Sequence, residues 1–552
     1  MYCLYKTQRR YTLNSMKAVR LIFLLLCVLF FLHIGIRPLA NPDEGRYAGM
    51  GLEMIRSGDW IVPHLNGLIY FEKPPLGYWC IALGEKIFGV TLFGARFFNA
   101  LFSLLTCFVL YRFCKRFLSQ KIGLWAAFIY GTCGLPFGMS QILTLDNALT
   151  FFLTTTLLLF SGGFLEENTK HARKYFLWAY VFMAFTVLTK GLIGIVLPGL
   201  IGLPWLIFTG HIKKLPKAHL LKGLLLFFVI ATPWHFLAQQ RYDCFFHFYF
   251  WHEHFERYLT TVHNRAKPFY FLLNAFLLGI LPWLFFLPRA LRTAFKNMKM
   301  QQSKHIVWFV VLWSSLIVLF FIKSSSQLIP YILPAIPGVA ILLAYGISQV
   351  DLSQVRIECL LWAIAYIISA LALPYVLAKK APVPTVLVAL AVCTVLLGSL
   401  MALLQVKKHT QRSFRLLVLT TLLIYLLLPI YLPYCQRHCG YETCTYLQKR
   451  GNGPFKIFCV YNYFDDLPFY LNQTVGVVDF IPEEHTLGLR TEPCDRYISM
   501  NKLREHWTQN EPCYAVVARD NESRFEQQMQ GENVRRLHQD ASFTLYGNAT
   551  TQ

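Results

Sequence analysis

A series of long apolar runs, each close to the ~20 residues that a helix needs to cross a bilayer, dominates this chain. Hydrophobic residues make up 55% of its 552 positions and charged residues only 15%, a composition that excludes an ordinary soluble protein. The sequence therefore predicts a polytopic α-helical membrane protein with about thirteen transmembrane helices. The predicted spans are 19–36, 94–114, 122–141, 146–164, 175–189, 191–210, 219–238, 269–290, 305–322, 328–347, 357–378, 382–405 and 416–434.

The basic residues indicate how these spans are oriented. The formal net charge is +23, yet no nucleic-acid recognition motif accompanies it, and most cations lie in short loops between apolar runs. This positive-inside pattern, with a basic segment before the first span and no cleavage site after it, predicts a retained signal anchor and a cytoplasmic N-terminus. Two long loops, 37–93 and 239–268, and the tail from 435 are then predicted to lie outside the cytoplasm.

The tail has the composition of a separate small domain. Residues 456–461, 475–478 and 513–518 are short apolar runs typical of buried strands, and 496–507 has the pattern of a helix. We therefore predict a membrane domain over 1–434, which includes both long loops, and an α/β domain over 435–552. An oxidising compartment favours at least one disulfide in the tail, whose cysteines are Cys435, Cys439, Cys444, Cys459, Cys494 and Cys513.

The first long loop begins with a helix signal that contains one unexplained acid. Asn41 suits a helix cap, Pro42 the first helical position, and Glu44 the acidic position of a capping box. Asp43 then has no structural duty of its own, and on a helix it shares a face with Arg46. The alternative is a surface helix with ordinary first-turn acids, each of which stabilises a helix by less than about 1 kcal/mol.

Further charges collect at the outer ends of predicted spans. Asp146 stands at the entrance of the fourth span, where it is either a helix cap or a site residue. Lys190 is an isolated cation between two apolar runs, and Glu72 and Lys73 precede a helix that Pro74 can begin. Such a concentration of acids and bases on one side of the membrane favours a functional site there.

The second long loop carries three histidines, two glutamates and several cations within 251–268. The spacing of His252 and His254 excludes the HExxH metalloprotease motif. The histidines and glutamates either supply ligands to a divalent metal or belong to an amphipathic helix at the membrane surface. The cations Arg257 and Arg265 are better explained by phosphate, which paired guanidinium groups bind through charge and directed hydrogen bonds.

Three segments of the first loop, 42–48, 57–64 and 70–75, form a distinctive ordered set of motifs. The order continues with 145–146, 189–191, 253–258, 267–270 and 331–334, so that the set covers most of residues 40–340. Together these segments resemble the lipid A aminoarabinose transferase family of GT-C membrane glycosyltransferases, and the first-loop segments are the most specific part of the resemblance. The chain departs from the family pattern at 327–330, where Gln327 stands in place of a family lysine and Pro330 is displaced by one position.

This resemblance implies a GT-C fold and a bacterial inner-membrane enzyme with a periplasmic active site and a periplasmic tail. Such an enzyme moves aminoarabinose from undecaprenyl phosphate to a lipid A phosphate and confers resistance to polymyxin. The resemblance, with the loop charges, implies these candidate residues: catalytic, Asp43 and Asp146; donor- or phosphate-binding, Arg46, Tyr70, Lys73, Lys190, Arg257, Arg265 and Tyr331; ligands of a zinc-like divalent metal, Glu72, His254 and His263.

Two alternatives remain open from the sequence. One is a related GT-C transferase that uses another polyprenyl-linked sugar or a protein acceptor. The other is a transporter or flippase of polyprenyl-linked sugars, which is expected to place charges at the membrane midplane in broken helices. The predicted charges lie instead at outer helix ends and in outer loops, which favours an enzyme.

Overall fold

The computed structural model describes residues 2–256, 267–296, 301–380, 383–435, 440–450, 455–509, 511–540 and 542–551. Contacts between its residues divide the chain into two compact units. The first, the membrane unit, contains Met1–Ile34, Asn99–Gln141 and Leu145–Tyr434. The second, the loop–tail unit, contains Gly35–Phe98, Ile142–Thr144 and Cys435–Gln552. The sequence assigned 37–93 to the membrane domain, whereas the structure groups this loop with the tail.

Helices make up most of the described chain, as its apolar runs predict. In chain order they are α1 (Tyr2–Phe31), α2 (Asp43–Ser57), α3 (Leu76–Phe88), α4 (Leu92–Phe117), α5 (Gln120–Thr132), α6 (Gly134–Ser140), α7 (Asp146–Leu165), α8 (Thr169–Lys190), α9 (Ile193–Phe208), α10 (Leu220–Arg241), α11 (Tyr270–Gly279), α12 (Leu287–Lys296), α13 (Gln301–Ile322), α14 (Ile336–Ser348), α15 (Arg356–Lys380), α16 (Thr385–Val406), α17 (Thr410–Cys435), α18 (Tyr441–Arg450), α19 (Leu467–Leu471), α20 (Thr486–Thr491), α21 (Met500–Trp507) and α22 (Glu522–Gln528). A π-helical segment, His247–Glu256, and a 3-10 helix, Ile329–Ala335, lie between the longer helices.

The predicted count of thirteen spans is not confirmed. Within the described residues, eight helices are long and apolar enough to cross a membrane, and ten if two bent helix pairs each count as one span. Three predicted spans are missing from that set. In the predicted span 19–36, helix α1 already ends at Phe31. In 175–189, α8 carries charged and aromatic residues that lower its mean hydropathy, and in 191–210, α9 has only 16 residues. At about 1.5 Å per residue, α9 is shorter than the ~30 Å hydrocarbon core.

The membrane unit is organised around α7. Of its 20 residues, 17 are buried, because α8, α9 and the 3-10 helix Ile329–Ala335 all pack against it. An apolar helix that is covered on most sides belongs to the core of a bundle. Its first residue, Asp146, is consequently held beside the helix ends that surround it.

The loop–tail unit contains a hairpin and a mixed six-stranded sheet. The hairpin pairs β1 (His64–Leu65) with β2 (Leu68–Ile69). The sheet has the order β5-β4-β3-β6-β8-β7. The first four strands are parallel to one another, and β8 is antiparallel to both of its neighbours, β6 and β7. Its strands are β3 (Lys456–Val460), β4 (Gly476–Val478), β5 (Tyr497–Ile498), β6 (Cys513–Ala518), β7 (Arg535–Gln539) and β8 (Phe543–Gly547).

The sheet is apolar on both faces, as expected of parallel strands covered by helices. One face packs with α21 and α22 through Leu503 and Phe525, and the other with α18 through Leu447. The predicted disulfide does not form among the described thiols of the tail, since none of Cys444, Cys459, Cys494 and Cys513 is joined to another by a disulfide bond. The side chain of Cys435 and the whole of Cys439 lie outside the described part.

Candidate active site

Helix α2 presents Asp43 at its N-terminus. The chain enters the helix through Pro42, and two acids, Asp43 and Glu44, occupy the first turn, where the helix dipole favours negative charge. Asp43 is exposed, and its carboxylate forms no hydrogen bond or ion pair with any part of the chain that the structure describes. The carboxylate is therefore available to a bound molecule.

The neighbouring Glu44 is fully buried and tightly bound. Its carboxylate accepts hydrogen bonds from Arg37 Nη2 at 2.6 Å and from Arg96 Nε and Nη2 at 2.8 and 3.0 Å. The backbone N–H groups of Ala40 and Leu143 donate at 2.8 and 2.7 Å. Burial acts to raise the pKa of Glu44, but the two arginines outweigh it and hold that pKa at about 2. Glu44 thus fixes the start of α2, and with it the position of Asp43.

Arg46, one turn along α2, is directed into the tail. Its Nη2 donates to Glu484 Oε1 at 2.7 Å and its Nε to Asp465 Oδ1 at 3.4 Å, in a cluster that is nearly buried. Burial opposes its charge, but Tyr70 and the two acids raise the pKa of Arg46. Burial raises the pKa of Asp465 to about 7, with a further rise from the nearby Glu484, and together these outweigh the opposing effect of Arg46. The charge of Arg46 is already matched by tail acids, and its predicted phosphate-binding role stays a prediction.

The other first-loop candidates lie near Arg46. Tyr70 is buried against the ring of Tyr78, at a centroid distance of 6.4 Å, and burial raises its pKa well above the ordinary value. Glu72 contributes to the raised pKa of Arg46, which places it within electrostatic range of that guanidinium. Lys73 is partly buried and donates from Nζ to the backbone carbonyl of Glu72 at 2.6 Å. The structure therefore places Tyr70 and Glu72 within electrostatic range of Arg46, and Lys73 follows Glu72 in the chain.

A second group lies in the membrane unit. Lys190, the last residue of α8, donates from Nζ to Asp146 Oδ1 at 2.5 Å, and the same ammonium stands 5.0 Å from the centre of the Tyr331 ring. Asp146 begins α7 and Lys190 ends α8, so each charge also lies at the helix end that favours its sign. The structure therefore unites three sequence-predicted residues into one acid–cation–phenol group.

The sequence interpretation missed the polar groups that hold these residues. Asn147 donates to Asn99 Oδ1 at 2.9 Å and to the carbonyl of Met139 at 2.6 Å, just after Asp146. Arg37 and Arg96, which bind Glu44, were also missed. Their signal was present, because an arginine inside or beside a predicted span needs a partner.

The departure from the family pattern has a local structural explanation. Gln327 is buried, and its side-chain amide donates to the carbonyls of Ile322 and Ser324 at 2.9 and 3.3 Å. These carbonyls lie at and just after the end of α13, where a helix leaves acceptors without partners. Gln327 thus closes a helix end that precedes Tyr331.

Four candidate residues of the second loop cannot be placed. Arg257, Arg265 and His263 lie outside the described residues, and the side chain of His254 is not described. Of the predicted metal ligands only Glu72 is described, so the fit of a zinc-like ion to that set stays a prediction.

Two family models match separate parts of the chain. The model for dolichyl-phosphate-mannose-protein mannosyltransferases matches residues 72–236, which include Lys73, Asp146 and Lys190. The model for the aminoarabinose transferase C-terminal domain matches residues 444–545. The two matches thus fall on the helical and the α/β parts of the chain.

Curated relatives are similar over part of their length. The undecaprenyl phosphate-alpha-4-amino-4-deoxy-L-arabinose arabinosyl transferase of Shewanella sediminis is 30% identical over 320 residues, which cover 58% of each chain. The protein of the same name from Aeromonas salmonicida is 32% identical over 340 residues, 61% of this chain and 60% of its own. The chain therefore matches somewhat less than two thirds of the length of these relatives.

Solved structures are similar over nearly the whole chain. ArnT from Cupriavidus metallidurans bound to undecaprenyl phosphate superimposes with a TM-score of 0.86 at 25% identity, covering 97% of this chain and 98% of that one. The oligosaccharyltransferase AglB from Archaeoglobus fulgidus superimposes with a TM-score of 0.51 at 12% identity, which indicates a shared fold alone. These likenesses confirm the predicted fold class, a polytopic helical membrane protein with a small C-terminal α/β domain.

Proposed function

The chain belongs to the aminoarabinose transferase family of GT-C fold membrane glycosyltransferases, and on this premise we propose that it transfers 4-amino-4-deoxy-L-arabinose from undecaprenyl phosphate to a lipid A phosphate. The donor is the one named for the relatives. We further propose a bacterial inner-membrane location with a periplasmic active site, which the cytoplasmic bias of the basic loops supports. The added amino group lowers the negative charge of lipid A and so weakens binding of cationic peptides such as polymyxin.

The observation that carries the proposal is the contrast between Asp43 and Glu44. Glu44 is buried and bound by two arginines, whereas the adjacent Asp43 is exposed and unpaired among the described residues. A carboxylate that is held on a rigid helix end without a partner is preorganised for a ligand. Its position makes Asp43 the first candidate for a group that contacts the substrates.

The reaction needs orientation and charge stabilisation more than proton removal. An oxygen of the acceptor phosphate forms a bond to the anomeric carbon of the sugar, while the bond from that carbon to the carrier phosphate breaks. Because a phosphate acceptor is already anionic, a strong general base is not required. Asp43 then orients the acceptor or the donor's amino group and stabilises positive charge on the sugar. A single displacement of this kind inverts the anomeric centre.

The departing carrier phosphate gains negative charge, which cations must offset. Lys190 is one such cation, held at the end of α8 by Asp146 and the ring of Tyr331. In this mechanism Asp146 positions the ammonium rather than reacting itself. No step requires the predicted ion at Glu72, His254 and His263, whose chemistry stays a prediction.

The test is transfer by purified protein in detergent, with undecaprenyl phosphate-linked aminoarabinose and lipid A, followed by mass spectrometry of the lipid. We expect a mass increase of one aminoarabinose residue and a loss of roughly 10²–10³-fold in turnover for Asp43→Asn. Asp520→Asn, at an exposed acid of the tail, is the matched control and should retain activity. A flippase produces no modified lipid under these conditions, and normal turnover of folded Asp43→Asn would remove Asp43 from the site.

A second candidate function is transfer of a polyprenyl-linked sugar to protein. The match of residues 72–236 to the dolichyl-phosphate-mannose-protein mannosyltransferases favours it. The same donor presented with a peptide mixture in place of lipid A distinguishes the two, since only a protein glycosyltransferase yields a modified peptide.

A further inference from the structure

Three potential metal ligands meet in the tail, away from the first-loop candidates in the sequence. Glu442 is in the first turn of α18, and His538 and Asp540 lie on and just after the edge strand β7. Their ligand atoms all lie within 4.8 Å of one another. We propose that Glu442, His538 and Asp540 bind a divalent transition-metal ion of the zinc or manganese type. This proposal is independent of the proposed transferase function.

A bulge in β7 aims His538 at this place. The register of β7 against β8 shifts between Arg536 and His538, so that Arg536 pairs with Tyr546 and His538 with Leu545. Arg536 faces α22, where it binds Glu526, whereas Leu545 belongs to the core on the α18 side. Bulges redirect side chains in this way and often occur beside functional sites.

The ring of His538 is fixed but its Nε2 is unused. The imidazole stacks on Tyr446 of α18, with ring centres 4.9 Å apart and an interplanar angle of 17°. Nε2 is buried and has no hydrogen-bond partner in the described structure. A buried polar atom without a partner is costly, and coordination of a metal ion satisfies it.

The two acids differ in how they are held. Asp540 Oδ1 accepts from the backbone N–H groups of Ser542 and Phe543, both at 2.7 Å, and Oδ2 accepts from Thr443 Oγ1 at 3.1 Å. Glu442 is exposed and, among the described residues, makes no hydrogen bond or ion pair. Asp540 is therefore a preoriented ligand, and Glu442 is free to rotate inward. The movement is needed, because metal–ligand bonds of about 2.1 Å place donor atoms about 3–4 Å apart.

The donor set selects the class of ion. One imidazole nitrogen with two carboxylates suits Zn²⁺ or Mn²⁺, while Ca²⁺ and Mg²⁺ prefer oxygen ligands alone. Two carboxylates and a neutral imidazole also leave a local negative charge, which a divalent cation neutralises. The ion would tie the first helix of the tail to the outermost strand of its sheet, a structural role.

The experiment uses the full-length protein in detergent, stripped with chelator and then dialysed against Zn²⁺ or Mn²⁺. Bound metal is counted by mass spectrometry, and the unfolding temperature is followed by tryptophan fluorescence. The variants are His538→Gln, Glu442→Gln and Asp540→Asn. His506→Gln is the matched control, since His506 also stacks on an aromatic ring, that of Phe458, but has no acidic neighbour in the cluster.

We expect each cluster variant to bind one ion fewer than the wild type, or to bind it at least about tenfold more weakly, and to lose metal-dependent thermal stabilisation. His506→Gln should behave like the wild type. Glu72→Gln removes a predicted ligand of the metal site in the first and second loops. It should therefore leave the ion of the tail in place. Equal metal content and equal thermal shifts in wild type and Glu442→Gln, which has no described partner to lose, would overturn the proposal. So would the absence of any bound metal in the wild type.

Discussion

Glu44 and Arg96, 52 positions apart, form a buried bidentate ion pair with hydrogen bonds of 2.8 and 3.0 Å. Because two parallel hydrogen bonds, from Nε and Nη2, join the planar guanidinium to the carboxylate, the pair fixes direction as well as distance. Arg96 also donates to the backbone carbonyls of Arg37 and Pro38 at 2.6 and 2.9 Å. A single carboxylate thereby organises the entrance to α2.

Glu44→Gln is expected to destabilise the protein severely. The sequence interpretation gave Glu44 only a capping role, which predicts a mild effect because glutamine also suits a capping box. The structure corrects this, because the substitution removes the buried carboxylate charge that pairs with both Arg37 and Arg96. Removing one partner of a buried ion pair typically costs about 3–5 kcal/mol. The thermal unfolding temperature in detergent measures it.

Asp43→Asn is the control for that measurement. Asp43 is exposed and has no described partner, so its substitution should shift the unfolding temperature little while it lowers turnover by roughly 10²–10³-fold. The two adjacent acids thus have different roles: Glu44 is expected to determine stability, and Asp43 activity. Equal unfolding temperatures for the two variants would contradict the role assigned to Glu44.

The sequence predicted well the features that follow from local composition and periodicity. It predicted poorly which residues, distant in the chain, form ion pairs and hydrogen bonds with each other. Apolar runs and the strand pattern of the tail follow from local periodicity, so the membrane helices and the α/β domain were predictable. The segment resemblance also found Asp146, Lys190 and Tyr331, which the structure brings together. It could not give the partners of Arg46, because Asp465 lies 419 positions later and no local pattern links them.

Gly45→Ala and Gly49→Ala are expected to have opposite effects on the stability of the protein. Both glycines lie on α2, where alanine raises helix propensity by up to about 1 kcal/mol. A Cβ at Gly45 would stand 2.5 Å from the backbone N of Asp466, whereas at Gly49 its nearest neighbour is Asp465 O at 4.0 Å. Gly45→Ala should therefore lower the unfolding temperature and Gly49→Ala should raise it slightly. A stabilising Gly45→Ala would mean that α2 does not pack this closely on the 465–466 segment.

Glu53 is expected to make stability fall as pH rises. Burial raises its pKa from 4.5 to about 7, against the opposing hydrogen bond from the Gly67 N–H, 2.9 Å long. Between these pH values the folded state binds more protons than the unfolded state. The contribution is thus fully present below pH 4.5 and is lost as pH rises to about 7.

Glu53→Gln tests this pH dependence. The amide retains an acceptor for the Gly67 N–H but does not titrate, so the decline in unfolding temperature between about pH 4.5 and 7 should become shallower. Glu505→Gln, at an exposed position of the tail, should leave the slope unchanged. Parallel pH profiles for wild type and Glu53→Gln would show that Glu53 titrates normally in the folded protein.

The pair of Asp146 and Lys190 is best examined by a double-mutant cycle. Lys190→Met leaves Asp146 buried without its cation, and Asp146→Asn leaves the ammonium beside an amide. The side chains of Asp146 and Lys190 are only 9% and 14% exposed, so the pair counts as buried. Each single substitution should therefore lower the unfolding temperature by an amount that corresponds to about 3–5 kcal/mol. The double variant should recover much of that loss, since neither charge remains to be paired.

Turnover in the same cycle separates a structural pair from a functional one. If Lys190 stabilises the departing carrier phosphate, the double variant regains stability but not activity, because no cation remains for that oxygen. Lys190→Arg should then retain part of the activity, since it keeps the positive charge. If the pair only holds α7 against α8, activity should return together with stability in the double variant. That outcome would remove Lys190 from the proposed mechanism. Asp43 in the first loop would then remain as the proposed catalytic carboxylate.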